Sequence, residues 1–523
     1  AGCIFSSGTQ TYWFVHYNFN NWVKDTLTSM GTPTAQPTQD QVLSNSGVNV
    51  GWGTVTFEAL DSSGSGTWSV EPRFKATDYA NAGMTEHRHR LRGWDPTNPD
   101  EGLHDPTDAS ALGRMGGRYT VAGQKLIMYF PQGGHADGAV SMDCNTFVGT
   151  NISTPSENDI IFAVKKPSIN MSGTGFPGGQ YQMISNALDI TYSKNTGTIL
   201  WSSPSGSAYP TGWMSFQPNP MYLDTTAFSN AGGMFGWKPM YPLGTTWGGG
   251  GSWTSNGPEE RIDWSTGLST QFASAVTSTD GLWTNPTDTT NDAFIAFNDR
   301  GNGIIAGSIL EEDLRWSDVT RSQHYLQAGV IVRTADQTTL SIADLVGKWV
   351  IGVIESSIHD NDTTWNSGNE NAQFGLTYGE VTIGSGGTVT RNFTHKDVFT
   401  GTISPDAGSG ETVELVTECY AYHAGTNTGL PITTPAASCI IPVTGETGML
   451  NKVFYIKSGS TVQAKLVLNA DKNTIVIFSP VDIGGVPYAA PMSTLCVHSP
   501  STDPNWCGDA QSHATIGMGV KVQ

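Results

Sequence analysis

The densest group of titratable side chains in the sequence is the run 85–90, which alternates histidine with arginine. If this run forms a strand, His87 and His89 share one face, because successive side chains alternate across a strand. Together with His104 and Asp105 downstream, the two imidazoles could bind a metal ion or act as acid and base. Several prolines follow, and they favour the alternative of an exposed loop held by salt bridges.

Oxygen-rich stretches offer ligands for a hard cation. Asp360 and Asp362, beside His359, alternate so that both carboxylates could converge on Ca²⁺. A second such stretch contains Asp280, Asp288, Asn291 and Asp292. Neither stretch has the glycine and the distal glutamate of an EF-hand loop. Structural calcium is therefore one hypothesis, and solvated turns are the other.

Carboxylates beside tryptophan are the third candidate, because a sugar site combines ring stacking with general acid catalysis. The tryptophans are Trp264 and Trp316. The carboxylates are Glu259, Glu260, Asp263, Glu311, Glu312 and Asp313. Chance neighbours are the alternative in a chain so rich in both residue types.

No nucleophile elbow, phosphate-binding loop or dinucleotide fingerprint occurs in a strand-to-helix context. We therefore assign no catalytic and no cofactor-binding residue, leave metal ligands unassigned, and lean against an enzyme.

The elements that must position these residues are predicted to be strands. The chain has 523 residues with 62 Gly, 27 Pro and 14% charged residues, which is typical of a turn-rich β protein. A single core stops growing at roughly 250 to 300 residues, so several domains are expected. We predict a mainly β protein with two or three antiparallel β-barrel or β-sandwich modules in tandem and long Gly/Pro-rich loops.

The clearest module lies at residues 341–480. Its short segments are rich in Val, Ile, Thr and Tyr and are bounded by turn residues, which is the signature of strands. The predicted strands are 376–383, 388–394, 412–419, 452–456, 462–468 and 474–478. Gly347, Lys348 and Trp349 open the module and resemble the Gly-x-Trp opening of lipocalins. That resemblance implies a barrel that holds a small ligand.

The predicted domains are 1–168, an N-terminal β module; 169–340, an irregular Trp/Gly-rich β module; 341–480, a barrel-like module; and 481–523, a disulfide-bearing tail. The segments 125–130, 138–142 and 158–162 parallel 452–456, 462–468 and 472–478. Likewise, 52–57 parallels 378–383. This pattern predicts a duplication, and a third degenerate copy would fit the middle of the chain.

Six cysteines favour disulfides and an oxidising, exported setting, since none forms a CxxC pair. The pairings that stay inside one module are Cys3 with Cys144, Cys419 with Cys439, and Cys496 with Cys507. The alternative is six buried thiols. Ala1, Gly2 and Cys3 also resemble the end of a lipoprotein box, but two residues precede the cysteine, so we prefer a disulfide.

The net charge of −20 argues against nucleic acid and anionic membranes as partners, because both require basic surfaces. No apolar run reaches the ~18 residues of a membrane-spanning helix. An extracellular or cell-surface location, without a transmembrane segment, is therefore expected. No cofactor is implied apart from structural calcium.

The leading functional hypothesis is a secreted or cell-surface structural protein that assembles with itself, as a filament or surface-layer subunit, by strand or loop packing. The aromatic segment 12–17 could pair with a neighbour's open sheet edge. A monomer that pairs this segment internally is the alternative. A carbohydrate-active or glycan-binding protein using Trp237 and Trp316 is the rival class, and a lipocalin-like ligand binder is the third. Asn151, Asn170, Asn361 and Asn392 head glycosylation sequons.

Overall fold

The structure is a computed structural model. It describes residues 8–21, 46–72, 86–90, 115–130, 134–153, 158–171, 177, 179–193, 213–218, 221–224, 237–238, 240–242, 281–284, 291–312, 321–359, 371–397, 401–422, 449–478, 481–483, 486–488 and 511–522. Strands dominate these residues, as the composition predicted. They form two closed eight-stranded antiparallel barrels and an eight-stranded open sheet between them in sequence.

Module 1 is the first barrel. Its strands are β1 (Gln10–Asn21), β2 (Ser46–Phe57), β3 (Ser65–Pro72), β4 (Glu86–Arg90), β5 (Met115–Ala122), β6 (Lys125–Tyr129), β7 (His135–Val140), β8 (Thr146–Thr150) and β9 (Asp159–Lys165). The barrel runs β1-β2-β3-β5-β6-β7-β8-β9 and closes where β9 pairs with β1, while β4 adds to β2 outside the ring.

Strand β1 is paired on both sides, with β2 and with β9. The prediction that segment 12–17 adds to a neighbour's sheet edge is therefore wrong, because the segment has no unpaired edge. Its aromatic run has a different cause. Tyr12 and Phe14 point into the barrel core, whereas Trp13, Val15 and Tyr17 belong to a core on the outside of the same strand. Both faces of β1 are buried, so the sequence does not alternate apolar with polar.

Module 2 is the open sheet. Its strands are β10 (Gln180–Ser193), β11 (Trp213–Pro218), β12 (Met221–Asp224), β13 (Trp237–Lys238), β15 (Leu282–Thr284), β16 (Asn291–Phe297), β17 (Asn302–Glu312) and β18 (Arg321–Arg333). Strand β14 (Met240–Pro242) lies between β13 and β15 in the chain but belongs to the sheet of module 3. The order is β15-β16-β17-β18-β10, followed by β12 and β13, with β11 also on β10. Module 1 has the same order in its run β6-β7-β8-β9-β1-β2. The described part of module 2 thus follows the barrel plan, as expected of a third copy.

Module 3 is the second barrel. It contains α1 (Ile342–Leu345), β19 (Gly347–His359), β20 (Asn371–Ile383), β21 (Thr388–Asp397), β22 (Ile403–Tyr422), β23 (Met449–Ser458), β24 (Thr461–Leu468), β25 (Thr474–Phe478), β26 (Val481–Ile483), β27 (Val486–Tyr488) and β28 (Gln511–Lys521). The ring runs β19-β20-β21-β22-β23-β24-β25-β28 and closes on β19, with β26 and β27 as a separate hairpin. Strand β14 joins this sheet by pairing with β22 outside the ring.

The end of the chain differs from the predicted organisation. Strand β28 lies between β19 and β25 and pairs with both, so residues 511–521 complete the second barrel. The expectation of a separate tail at 481–523 is corrected for this strand. The local pattern of 481–523 is rich in turn residues. It gives no sign that β28 pairs with β19, which lies more than 150 residues upstream.

Three hydrophobic cores hold the described residues together. One fills the first barrel around Tyr12 and Phe57, and one fills the second barrel around Trp349 and Phe454. The third core contains residues of all three modules, including Trp13, Val330 and Met518. It lies on outward faces of the strands, so each module buries one outer wall against the other two.

The three modules contact one another in a closed cycle. Strands β1 and β2 of module 1 contact β17 and β18 of module 2, β10 and β11 contact β28, and β19 contacts β8 and β9. In each case the first strands of one module meet the last strands of the next. The arrangement is therefore head-to-tail and closes after three modules. No helix in the described residues is long and apolar enough to cross a membrane.

Candidate functional site

Three equivalent hairpin turns, one from each module, form the most elaborate polar arrangement that the structure describes. Turn 1 (residues 141–146) joins β7 to β8, turn 2 (residues 298–302) joins β16 to β17, and turn 3 (residues 469–474) joins β24 to β25. The fourth residue of each turn has a positive φ: 61° at Cys144, 83° at Gly301 and 58° at Lys472. Residues other than glycine seldom adopt this conformation, so the turns hold it by hydrogen bonds.

Those bonds repeat from turn to turn. The N–H of the fourth residue donates to the first residue's carbonyl, at 2.9 Å in turn 1, 3.2 Å in turn 2 and 3.0 Å in turn 3. The first side chain accepts two further backbone N–H groups, with Ser141 Oγ, Asn298 Oδ1 and Asn469 Oδ1 as the acceptors. Short side chains with an oxygen are required there, because they must reach their own backbone.

A basic residue near the end of each module's last strand fixes its turn. The N–H groups of Lys165, Arg333 and Lys521 each donate to a turn carbonyl at 2.9 Å, on Asn145, Gly301 and Asn473 respectively. Opposite these basic residues, the first strands carry large, fully buried aromatics, namely Tyr12, Tyr181 and Trp349. The same constellation of turn, last strand and first strand thus occurs three times.

The Gly-x-Trp segment belongs to this constellation. Gly347 opens β19 with φ 137°, and Gly179 has φ 139° two residues before Tyr181. Trp349 Nε1 donates to the Leu345 carbonyl at 2.8 Å, and the Lys521 ammonium lies 5.3 Å from the Trp349 ring centre. As the lipocalin resemblance implied, the segment begins the first strand of a barrel, which here has eight strands.

Hydrogen bonds join the turns across module boundaries; we call the three turns together the three-turn junction. Asn298 Nδ2 donates to the Asn145 carbonyl at 3.0 Å, and Asn469 Nδ2 donates to Asn302 Oδ1 at 3.1 Å. The hydroxyls of Thr146 and Thr474 lie 2.7 Å apart. Each pair of modules is therefore linked by a buried polar contact at the junction.

Backbone bonds add to these links. The Met142 N–H donates to the Lys521 carbonyl at 3.0 Å, and the Ala470 N–H donates to the Arg333 carbonyl at 2.7 Å. Both cross between modules. Because buried polar groups without partners are costly, this pattern fixes how the modules dock.

Charged groups surround the junction. Burial, and next the charge of Asp143, raises the pKa of Asp471, while Arg300 and Arg333 oppose the rise. Lys472 Nζ donates to Asp344 Oδ1 at 2.6 Å. Burial alone would raise the pKa of Asp344, but its bonds from Lys472 and Ser341 outweigh burial and lower that pKa. Burial lowers the pKa of Lys521. These charges link the turns to strand ends and, within module 3, turn 3 to α1.

No protein-family model matches the chain, and a search of curated proteins finds no match. Among solved structures, transferrin binding protein B (TbpB) from serogroup B Neisseria meningitidis is similar at 8% identity, over 99% of this chain and 77% of that chain, with a TM-score of 0.19. OccAB3 from Acinetobacter baumannii is similar at 6% identity over 98% of each chain, with a TM-score of 0.13. Likeness at these TM-scores carries no argument about fold or function.

A serine, a histidine and an aspartate meet on module 1, away from the junction. Ser153 Oγ lies 3.2 Å from His135 Nε2, and Asp137 Oδ2 lies 3.8 Å from the same nitrogen. A catalytic relay needs the hydroxyl and the carboxylate on opposite ring nitrogens. Burial raises the pKa of Asp137, and His135 partly offsets the rise. The cluster is therefore a local polar contact and not a relay.

The interior of the second barrel carries a polar group beyond its apolar core. Thr377 Oγ1 lies 3.1 Å from His395 Nδ1. A Cβ atom placed on Gly375 would lie 2.8 Å from His395 Cε1 and 3.5 Å from Glu355 Oε2. A contact of 2.8 Å is shorter than a Cβ atom tolerates, so the His395 imidazole already fills the space beside Gly375.

Those sequence-predicted site residues that the structure describes lie apart from the junction. His87 and His89 lie on β4, where they pair with Val50 and Val48, so this run is a strand and not a loop; His104 and Asp105 lie outside the described residues. Asn291 and Asp292 begin β16 instead of lying in a loop, and His359 ends β19. Asp280, Asp288, Asp360 and Asp362 lie outside the described residues. Among the described residues, no group of three metal-ligating side chains occurs.

Of the carboxylate and tryptophan candidates, the structure describes three, which lie on two different strands. Glu311 and Glu312 end β17, and Trp237 begins β13. The remaining candidates, Glu259, Glu260, Asp263, Trp264, Asp313 and Trp316, lie outside the described residues, as does Asn361. Of the other sequons, Asn151 is buried, whereas Asn170 and Asn392 are exposed. Glycosylation at Asn151 would require unfolding of the barrel wall.

Sequence reasoning did not find the three turns, although a signal was present. Each turn begins with Ser or Asn, has Asn at its last or second-last position, and follows an apolar strand. A search for one polar turn motif at the same place in each predicted module would have found them. Their convergence depends on contacts between modules, which no local pattern reveals.

Proposed function

We propose that this chain is an exported structural protein of the cell surface or extracellular space, which assembles with copies of itself. The observation that carries the proposal is the three-turn junction, where the best-built polar cluster of the described residues fastens one module to the next. A chain whose modules are held together by buried polar contacts is suited to bearing mechanical load. The acidic charge and the six cysteines support export.

Assembly would use surfaces other than β1, whose edges are taken. Four large apolar side chains of the described residues are exposed, at 41% to 49%: Tyr129, Met142, Ile169 and Ile403. Single exposed apolar residues are common. Substituting these exposed side chains is nevertheless the most direct test of packing between copies.

Assembly is tested on the purified full chain by light scattering and negative-stain electron microscopy over rising concentration, with calcium or with a chelator. We expect polymers or lattices above a threshold concentration, weakened in Ile169→Ser and Ile403→Ser. The matched control is Thr390→Ser, an exposed polar position on β21. Monodisperse monomers at every concentration would overturn the proposal. Glycan-array binding that is lost in Trp237→Ala would support the rival glycan-binding class instead.

A lipocalin-like ligand binder is the second candidate, and the polar pair of Thr377 and His395 on the barrel wall is the observation that favours it. Against it, the apolar half of the same barrel is filled by Trp349, Phe454 and their neighbours. Eight-stranded barrels are wide enough either to be filled by side chains or to hold one small ligand. Thermal shifts with a library of small polar molecules, compared between the wild type and Thr377→Val, separate the two outcomes.

A further inference from the structure

We propose that the three-turn junction is a proton-responsive fastener, which holds the modules more tightly when the Asp471 carboxylate is protonated. This inference concerns docking within one chain and holds whether or not the chain assembles.

Asp471 and Asp143 occupy the third position of equivalent turns but differ in their partners. Asp143 Oδ1 accepts from Ser141 Oγ at 2.6 Å and from the Asn145 N–H at 3.2 Å, and its Oδ2 accepts from Asn145 Nδ2 at 2.9 Å. Asp471 Oδ2 is buried without a hydrogen-bond partner among the described residues. An unpaired buried carboxylate oxygen is costly while it is charged.

The charges facing Asp471 come from all three modules. Asp143 on turn 1 and Asp299 on turn 2 repel its ionised form, whereas Arg300 on turn 2 and Arg333 at the end of β18 attract it. Burial is the largest influence, and the balance raises the pKa above its ordinary value of 3.8. Its neighbour Lys472 is engaged by Asp344.

The sign of the pH effect follows from this balance. A carboxyl whose pKa is higher in the folded state favours folding in its protonated form, so stability is gained as the pH falls through that pKa. Asp344 acts in the opposite direction, but its lowered pKa places its loss of stability below 3.8. Mild acidification should therefore tighten the junction before strong acid weakens it.

The bonds that report on the junction lie beside the two aspartates. The Ala470 N–H donates to the Arg333 carbonyl, and the Met142 N–H donates to the Lys521 carbonyl. When the modules separate locally, these amides exchange with solvent. A matched reference within one barrel is the Val413 N–H, which donates to the Gly387 carbonyl at 2.7 Å.

Hydrogen exchange with mass spectrometry on the full chain, corrected for the intrinsic pH dependence of exchange, tests the proposal. Between pH 7 and pH 4.5, we expect about a two- to tenfold gain in protection for wild-type peptides that contain Met142 or Ala470, with little change at Val413. Asp471→Asn should show the higher protection already at pH 7 and lose the pH response.

Asp61→Asn is the control variant, because Asp61 is an exposed turn carboxylate of module 1 whose pKa is lowered by its Ser63 and Ser65 bonds. It should keep the wild-type response at the junction. A wild-type response that persists unchanged in Asp471→Asn, or protection that falls on mild acidification, would overturn the proposal. The thermal unfolding midpoint of Asp471→Asn at pH 7 confirms that the variant is folded.

Discussion

The hydroxyl oxygens of Thr146 and Thr474 lie 2.7 Å apart in the buried space between the two barrels, although the residues are 328 positions apart in the chain. Each threonine is the last residue of its turn, and each begins a strand, β8 or β25. Equivalent residues of two modules therefore touch each other directly. Equivalent positions of the repeated module thus contribute to the surface by which the modules dock.

Replacing one of these threonines should cost more than replacing both. In Thr146→Val the Thr474 hydroxyl stays buried without its partner, so we expect a loss of about 1 to 2 kcal/mol in the free energy of unfolding. Thr146→Val combined with Thr474→Val should recover part of that loss, because no hydroxyl is then unpaired. Chemical denaturation of all three variants measures the coupling. Additive losses would show that the two hydroxyls do not interact.

Close packing between the barrels should make Gly352 intolerant of a side chain. A Cβ atom at this position on β19 would lie 2.7 Å from Val148 Cγ2 on β8. We expect Gly352→Ala to lower stability by about 1 to 3 kcal/mol. Thermal unfolding is the measurement. Adding Val148→Ala should restore part of the loss, and Gly386→Ala, where nothing lies within 4 Å, should be close to neutral.

The sequence predicted the strands of module 3 well. Each of the six segments predicted between 376 and 478 lies inside a strand from β20 to β25. Alternation and bounding turn residues are local signals, so they indicate a strand independently of the strands that pack against it. Barrel closure could not be predicted in this way, because the pairing of β28 with β19 joins residues more than 150 positions apart.

The repeat was only partly readable. The parallel between 52–57 and 378–383 matches the topology, since β2 and β20 are both second strands. The sequence pattern pairs 158–162 with 472–478, whereas the strand order makes β8 the equivalent of β25. Strand β8 is five residues long and includes Gly149, so its pattern is weak.

A carboxylate clamp between the barrels should depend on pH and salt. Glu380 on β20 is bound by Lys125 of module 1, and Lys348 Nζ lies 3.4 Å from its Oε2. The Lys125 bond is the main cause that lowers the pKa of Glu380 below its ordinary 4.5. The clamp therefore stabilises the fold above that pH and is lost as the pH falls through the lowered value.

Glu380→Gln should accordingly lower stability at pH 7 by no more than about 1 kcal/mol, since the groups are partly exposed. The difference from the wild type should shrink in 1 M NaCl and at strongly acidic pH. Thermal unfolding at two salt concentrations checks both effects. The matched control is Lys457→Met, which removes a surface ion pair with Glu414 between two strands of the same barrel. A deficit in Glu380→Gln that is unchanged by salt would point to packing instead of charge.

The predicted disulfide between Cys3 and Cys144 involves turn 1. Of the three turns of the junction, only turn 1 contains a cysteine. Cys144 is buried, and Tyr12 Oη donates to its carbonyl at 2.9 Å, which places the start of β1 beside turn 1. Cys3 lies outside the described residues, a few positions before β1. A bond between them would tie the segment before the first strand to the turn and close a long loop.

Peptide mapping without reduction should recover Cys3 and Cys144 in one linked pair. For a loop of this length, the chain-entropy relation gives a contribution of about 4 to 5 kcal/mol, so a reductant should lower the unfolding temperature of the wild type. In Cys3→Ser the same reductant should have a smaller effect, because this link is already missing. Recovery of both residues as free thiols from protein purified under oxidising conditions would remove the link, and free thiols at all six positions would remove the argument for export.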